Sequence, residues 1–299
     1  MVQPMVPVSV TNILRGVLAG SFFGMTVASA GAEAPRCAPF TVTHHEAGTR
    51  TDPPPRPFTV GSLNLAGKAQ IGDALTAWTE SRGIDVLLLQ EVGDPSGGGE
   101  AFVAALSERL GFHAVYAPAD IVGDSQTQGL AIVSRYPLDG VRVLTLAYHH
   151  LRFRSRCRIA LAATVAMANG PVSLVNVHLD TRINSKDRLA QLAPVLDALD
   201  GVVASQLIGG DFNTMDVRWV RTMWPLLWVE RQAAAVGKRL AAAGFHTPFG
   251  DTPGTVRFLH LPIRLDWLYL KRLTAHDYGV DTVPLTDHRG VWTRMGLTD

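Results

Sequence analysis

Cysteine is scarce in this chain: Cys37 and Cys157 are the two in 299 residues. That excludes a small disulfide-built scaffold. An excess of one charge sign is missing too, with 27 basic against 26 acidic side chains and a formal net charge of +1. Whole-molecule charge therefore does not mark a nucleic-acid binder. Glycine and proline are scattered rather than periodic, which excludes collagen-like and mucin-like chains, and no internal repeat or low-complexity tract is found. What the sequence does have is apolar material: 47% hydrophobic against 18% charged residues, enough for a large core and too much for disorder.

Residues 1–30 differ from the rest. Their one charged side chain is Arg15, followed by an apolar run from Val17 to Val27 and the small residues Ala28-Ser29-Ala30-Gly31-Ala32. This is the pattern of a secretory signal peptide cleaved after Ala30 or Ala32, which implies an exported protein, secreted or periplasmic. The alternative is an uncleaved N-terminal membrane anchor, since the uncharged run is just short of the ~20 residues that span a bilayer. In an oxidising compartment Cys37 and Cys157 can pair.

Residues 31–57 are polar and irregular and end in Asp52-Pro53-Pro54-Pro55-Arg56-Pro57, which reads as an extended linker. The folded domain is expected over 58–299. Strands are expected at Phe58–Asn64, Asp85–Gln90, Leu130–Ser134, Arg158–Val165, Val172–His178, Gln206–Ile208, Arg264–Leu270 and Val291–Arg294. Helices are expected at Ile71–Arg82, Glu100–Leu110 and Ser185–Leu199, the last kinked at Pro194. The class is α/β or α+β with mixed sheets.

The informative residues are polar groups at the ends of these apolar runs: Asn64 in GSLNLAG, Glu91 in LLLQEV, His178 and Asp180 in LVNVHLD, Asp211 and Asn213 in IGGDFN, and Asp287-His288 in TDHRGVW. Each alone is an ordinary turn or solvated residue. Their recurrence places them on one rim of a layered sheet structure, where catalytic groups gather. Glu91, Asp211 and Asp287 with the amide oxygens of Asn64 and Asn213 form an oxygen-only set that suits Mg²⁺, Mn²⁺ or Ca²⁺ rather than zinc. Asp266, alternating onto an apolar face of RLDWLYL, needs a partner. His288 is the natural one, and a backbone N–H at a frayed strand end is the alternative.

In order, GSLNLAG, LLLQEV, GLAIVSRYPL, RIALAATV, LVNVHLDT, IGGDFNT, RLDWLYL and TDHRGVW resemble the endonuclease/exonuclease/phosphatase superfamily, the deoxyribonuclease-I-like fold, from Phe58 to about Arg294. The resemblance implies a four-layer αββα sandwich of two mixed sheets and metal-dependent hydrolysis of a phosphodiester. Carried over by position, Asn64, Glu91 and Asp287 hold the ion, Mg²⁺ or Mn²⁺ with Ca²⁺ as a further option. Asp211 and Asn213 position or activate water, and His178 hydrogen-bonds the phosphate. His288, oriented by Asp266, serves acid–base chemistry or transition-state stabilisation. Arg158 falls near the family's pattern and is assigned to phosphate binding. Where some members carry an acid before the Gly129–Ser134 strand, to orient the phosphate-binding histidine, this chain has Gln128.

The implied substrate is a nucleic acid or a phospholipid head group. The rival reading is a catalytically silent member that binds a phosphorylated ligand or a protein partner. Two segments bear on this. Arg152, Arg154, Arg156 and Arg158 alternate with other residues and, if extended, line one face as a phosphate grip or a charged edge strand. Asp216–Trp228 carries Trp219, Val220, Met223, Trp224 and Leu227 on a helical stripe, read as a helix packed on the domain or, alternatively, as an interfacial lid with peripheral membrane contact.

Overall fold

The computed structural model describes residues 41–47, 57–93, 98–122, 126–153, 155–167, 170–227, 229–258 and 260–298. The signal-like segment, Cys37, the triple proline and Arg154 lie outside the described residues.

In chain order the first strands are β1 (Thr43–Glu46), β2 (Phe58–Asn64), β3 (Val86–Val92), β4 (His113–Val122) and β5 (Gln126–Ser134), with helices α1 (Gly72–Arg82) and α2 (Gly99–Leu110) on either side of β3. Then come β6 (Leu138–Thr145), β7 (Ile159–Val165), β8 (Val172–His178), helix α3 (Ser185–Leu199) and β9 (Ser205–Asp211). Two short ribbons follow: β10 (Val217–Val220) with β11 (Trp224–Leu227), and β12 (Val256–Phe258) with β13 (Leu261–Ile263), separated by α4 (Gln232–Ala242). The chain closes with β14 (Asp266–Lys271), β15 (Leu273–Thr282) and β16 (Arg289–Leu297).

One sheet has seven strands in the order β1-β4-β5-β3-β2-β16-β15; the other has five in the order β14-β9-β8-β7-β6. Both mix parallel and antiparallel neighbours: β2–β3 and β8–β9 run parallel, the rest antiparallel. Central strands such as β2 are buried along their whole length, because both faces are covered. Leu63, Leu87 and Leu89 face Ile71 and Leu75 below α1 and Val103 and Leu106 of α2. Val60, Val86 and Leu88 face the second sheet, whose far side meets Leu192 and Val195 of α3 and Val236 and Leu240 of α4. This is the four-layer α+β sandwich. Each such buried side chain contributes ~1.5–3 kcal/mol.

Three expectations are corrected. Part of the supposed linker is β1, which pairs antiparallel with β4 at the edge of the larger sheet, so the folded body starts before Phe58. The tryptophan segment is not a helix but the β10–β11 ribbon, and Trp224 is 57% exposed. The alternating arginines do not form a strand: the segment before β7 is a loop in which the Leu151 N–H bonds back to Ser155 Oγ at 2.8 Å. Cys157 is buried and disulfide-bonded. Helix α3 runs through Pro194 as a single element. No helix among the described residues is long and apolar enough to cross a membrane.

Candidate active site

Strand pairing assembles half of the site. In the smaller sheet His178 lies opposite Asp211, and Asp211 lies opposite Asp266, so three polar side chains end three neighbouring strands at one level. Their close approach depends on the two glycines before Asp211. A Cβ at Gly209 would come 2.4 Å from Leu268 Cδ2 and 2.7 Å from Leu88 Cδ1; one at Gly210, where φ is +136°, would come 2.0 Å from the Val177 carbonyl oxygen. At Gly210, against backbone and at positive φ, only glycine fits.

The larger sheet supplies the rest. Asn64 ends β2, and its Nδ2 donates to Asp211 Oδ2 at 3.0 Å, bridging the sheets. Its Oδ1 accepts the Ala66 N–H at 2.9 Å. Glu91 lies on β3, where regular alternation would turn it with Leu87 and Leu89 toward the helices. A register shift between Leu89 and Val92 and a φ of +49° at Glu91 re-aim it. Its Oε1 then lies 3.7 Å from His178 Nε2 of the other sheet. Just beneath, Gln90 Nε2 donates to Asn176 Oδ1 at 2.7 Å, and Asn176 Nδ2 donates to the Leu89 and Ala131 carbonyls. This buried polar contact fixes how the sheets sit on each other at the site.

His178 is held by a cation. Arg158 Nη1 lies 3.1 Å from His178 Nδ1, and guanidinium only donates, so Nδ1 accepts and the neutral ring carries its proton on Nε2. Burial first and the Arg158 charge second push the His178 pKa well below its ordinary value. Arg158 Nε in turn donates to Asp180 Oδ1 at 2.9 Å, and Gln191 Nε2 holds Asp180 Oδ2 at 2.8 Å. Gln128 is turned elsewhere: it accepts from Arg156 at 2.6 Å and its Nε2 lies 3.4 Å from Glu91 Oε2. His178 Nε2 is buried without a hydrogen-bond partner, 3.6 Å from Asp211 Oδ2.

On the other side of Asp211, His288 Nδ1 lies 2.9 Å from Asp266 Oδ2. Burial pulls the His288 pKa down, but the charge and hydrogen bond of Asp266, with Asp211 and Asp287 behind, outweigh it and carry it up to about 10. Burial and the Asp266 charge push Asp211 up to about 7, against the opposing His288 charge, the Asn213 N–H at 2.8 Å from Oδ1 and the Asn64 amide. Asn213, at φ +51°, also ties its Nδ2 to the Leu179 carbonyl. Asp287 is exposed.

Among the described residues, the ligating acidic and imidazole groups that come within 4.8 Å of one another are Asp211, Asp266 and His288. Glu91 and Asp287 are not in that group. A hard cation fits the wider site. Asp211 and Asp266 are buried side by side, Asp266 Oδ1 has no hydrogen-bond partner, and Glu91 adds a third carboxylate near Asp211's neighbour His178.

Sequence reasoning missed the supports. Arg188 is fully buried on α3. Its Nη1 donates to the Asp180 and Phe212 carbonyls, both at 2.7 Å; its Nη2 donates to Thr181 and Ile183, and its Nε to Gln232 Oε1 at 3.1 Å. It pins the loops that follow His178 and Asp211. The available signal was its spacing: Arg188, Gln191, Leu192 and Val195 recur on one helical face, so two polar residues had to be buried. Gln90 and Asn176 gave a similar signal inside strands otherwise apolar.

A model of the endonuclease/exonuclease/phosphatase family matches residues 61–288. No curated protein matches the chain. Among solved structures, an endonuclease/exonuclease/phosphatase from Beutenbergia cavernae is similar at 20% identity and TM-score 0.63, covering 82% of this chain and 72% of that one. The human Nocturnin catalytic domain with bound sulfate is similar at 16% identity and TM-score 0.60, covering 87% and 98%. D. rerio TDP2 complexed with a single-strand DNA product is similar at 17% identity and TM-score 0.56, covering 81% and 100%.

Proposed function

The chain belongs to the endonuclease/exonuclease/phosphatase family, and from that premise we propose that it hydrolyses a phosphodiester with the help of a divalent cation. The observation that carries this reading is the buried Nε2 of His178, a neutral N–H donor without a hydrogen bond, 3.7 Å from Glu91 Oε1 and 3.6 Å from Asp211 Oδ2 and so free to meet an acceptor on a ligand. Phosphoryl oxygens are such acceptors. Asn64 and Glu91, with Asp287, would hold a divalent cation, Mg²⁺ or Mn²⁺, which neutralises and polarises phosphate oxygens.

The chain's own residues do the rest. Asp211, fixed by the Asn213 N–H and the Asn64 amide, takes a proton from the attacking water as the water oxygen bonds to phosphorus. His288, charged and fixed by Asp266, donates to the charge that develops as the bond to the leaving oxygen breaks. His178 donates a hydrogen bond from its Nε2–H to a phosphoryl oxygen and keeps the proton. Arg158 holds that imidazole through Nη1 while its Nε bonds Asp180. Export, read from residues 1–32, is part of the proposal.

The test is turnover of a chromogenic phosphodiester. Asp211→Asn lowers it by ~100-fold or more with little loss of stability, and chelator abolishes it. Glu91→Gln is partly rescued by raised Mg²⁺ or Mn²⁺. A wild-type rate that survives both chelator and Asp211→Asn overturns the reading, and phospholigand binding without turnover then becomes the better one.

A further inference from the structure

The ten exposed large apolar side chains among the described residues are not spread evenly. Six of them, Phe153, Val220, Trp224, Leu226, Leu227 and Val229, lie on the β10–β11 ribbon, two residues past its end, and in the loop bonded to its tip. Ribbon pairing sets Arg218 opposite Leu226 and Val220 opposite Trp224, so these four share one face, and all four are exposed. Monomeric surfaces rarely leave such a group together without a use for it.

The patch is fixed to the catalytic rim. The ribbon leaves the end of β9 shortly after Asp211. Its Trp219 backbone pairs with the Asn184 side chain, in the loop that follows Asp180. At its tip, Thr222 Oγ1 accepts the Arg152 N–H at 2.7 Å, from the loop that leads into Arg158. The turn holds Arg221 and Thr222 at φ +51° and +53°, a geometry that β-branched residues avoid and that needs such bracing.

We propose that this ribbon docks on an anionic phospholipid surface and lays the catalytic rim against the head groups. Charge decides the occupant. Val217–Leu227 contains Arg218 and Arg221 and no acid, and Arg152 is exposed beside the turn. Apolar side chains with Arg218, Arg221 and Arg152 among them complement an anionic interface, with Trp224 suited to the head-group level. A second copy would bring arginine against arginine across a two-fold interface. A nucleic-acid strand would find one exposed indole to stack on, and Val220 and Leu226 offer bases nothing.

The test uses the full chain in chelator, so that no turnover is needed, and measures partition onto vesicles of phosphatidylcholine with and without phosphatidylglycerol. Wild type binds more tightly when phosphatidylglycerol is present. The Trp224→Ala/Leu226→Ala variant binds at least about tenfold more weakly. Arg218→Gln/Arg221→Gln loses the gain from the anionic lipid. Hydrolysis of a soluble diester is unchanged in both. The readout is the difference between variant and wild type, because the apolar N-terminal segment would carry all of them to lipid equally. Equal partition of Trp224→Ala/Leu226→Ala and wild type overturns the proposal, as does indifference to phosphatidylglycerol. A variant that keeps its lipid binding but loses affinity for a single-stranded oligonucleotide makes the ribbon a nucleic-acid platform instead. Failure of this test leaves the phosphodiesterase reading standing, and a failure of turnover leaves the docking result intact.

Discussion

Arg158→Met keeps the length of the side chain and deletes both the ion pair to Asp180 and the donor to His178. The pair is nearly sealed from water: the side chains are 10% and 1% exposed, and Nε lies 2.9 Å from Oδ1. At that distance and an effective dielectric of about 20, the attraction is worth about 6 kcal/mol before desolvation is charged against it. Gln191 keeps its bond to Asp180 Oδ2 in the variant, so the stranded carboxylate is not wholly unsatisfied. The expected loss of stability is therefore about 3–5 kcal/mol, that of a broken buried pair. Asp180→Asn also destabilises, and the double variant loses less than the sum of the singles by about 2 kcal/mol, since the second change removes what the first stranded. Urea unfolding of the four proteins measures the cycle. Nitrogen-15 imidazole shifts read the second consequence: His178 carries its proton on Nε2 in the wild type and samples both tautomers in Arg158→Met. Additivity within about 0.5 kcal/mol refutes the coupling. A wild-type His178 protonated on Nδ1 refutes the holding role of Arg158.

Gly210→Ala should cost about 3 kcal/mol or more, because its Cβ would meet the Val177 carbonyl at a φ of +136°; thermal melting checks it, and a loss below about 1 kcal/mol refutes the close approach. The pKa of His288 is raised in the fold from 6.5 to about 10, so its stabilisation is complete below pH 6.5 and is lost as pH rises toward 10. The melting temperature of the metal-free protein should fall through that window, and His288→Asn should lack that component of the fall. His288→Ala and Asp266→Ala should each lower turnover, and together lower it little further, because the two act through one hydrogen bond. Multiplicative losses would show that they work separately.

The strands that bear the site were legible because each is mostly apolar and buried, with its site residue at or next to one end. Val172–His178 has the expected bounds, and β2 ends at Asn64 as expected. The strands that were missed lie at or near edges, where that contrast disappears. β15 buries Leu273 alone, and β6 is divided between half-buried and exposed residues. The tryptophan segment misled because Trp219, Trp224 and Leu227 fit a helical stripe by spacing alone. Pro225 sits inside it, and a ribbon that leaves Trp224 in solvent contradicts the assumption that tryptophan must be buried. Asn64 and Asp211 could be singled out, but not their bond, since it spans 147 residues. Nor could Glu91's orientation be read, because a bulge reverses the face that alternation assigns to it.

The site is divided between the sheets, with Asn64 and Glu91 on one and His178, Asp211 and Asp266 on the other. A collapsed chain with every strand formed, but the two sheets displaced at the Gln90–Asn176 contact, would keep its circular dichroism and bring no productive set of side chains together. Catalysis is thus a later event than secondary structure, and neither half of the molecule holds half of the activity.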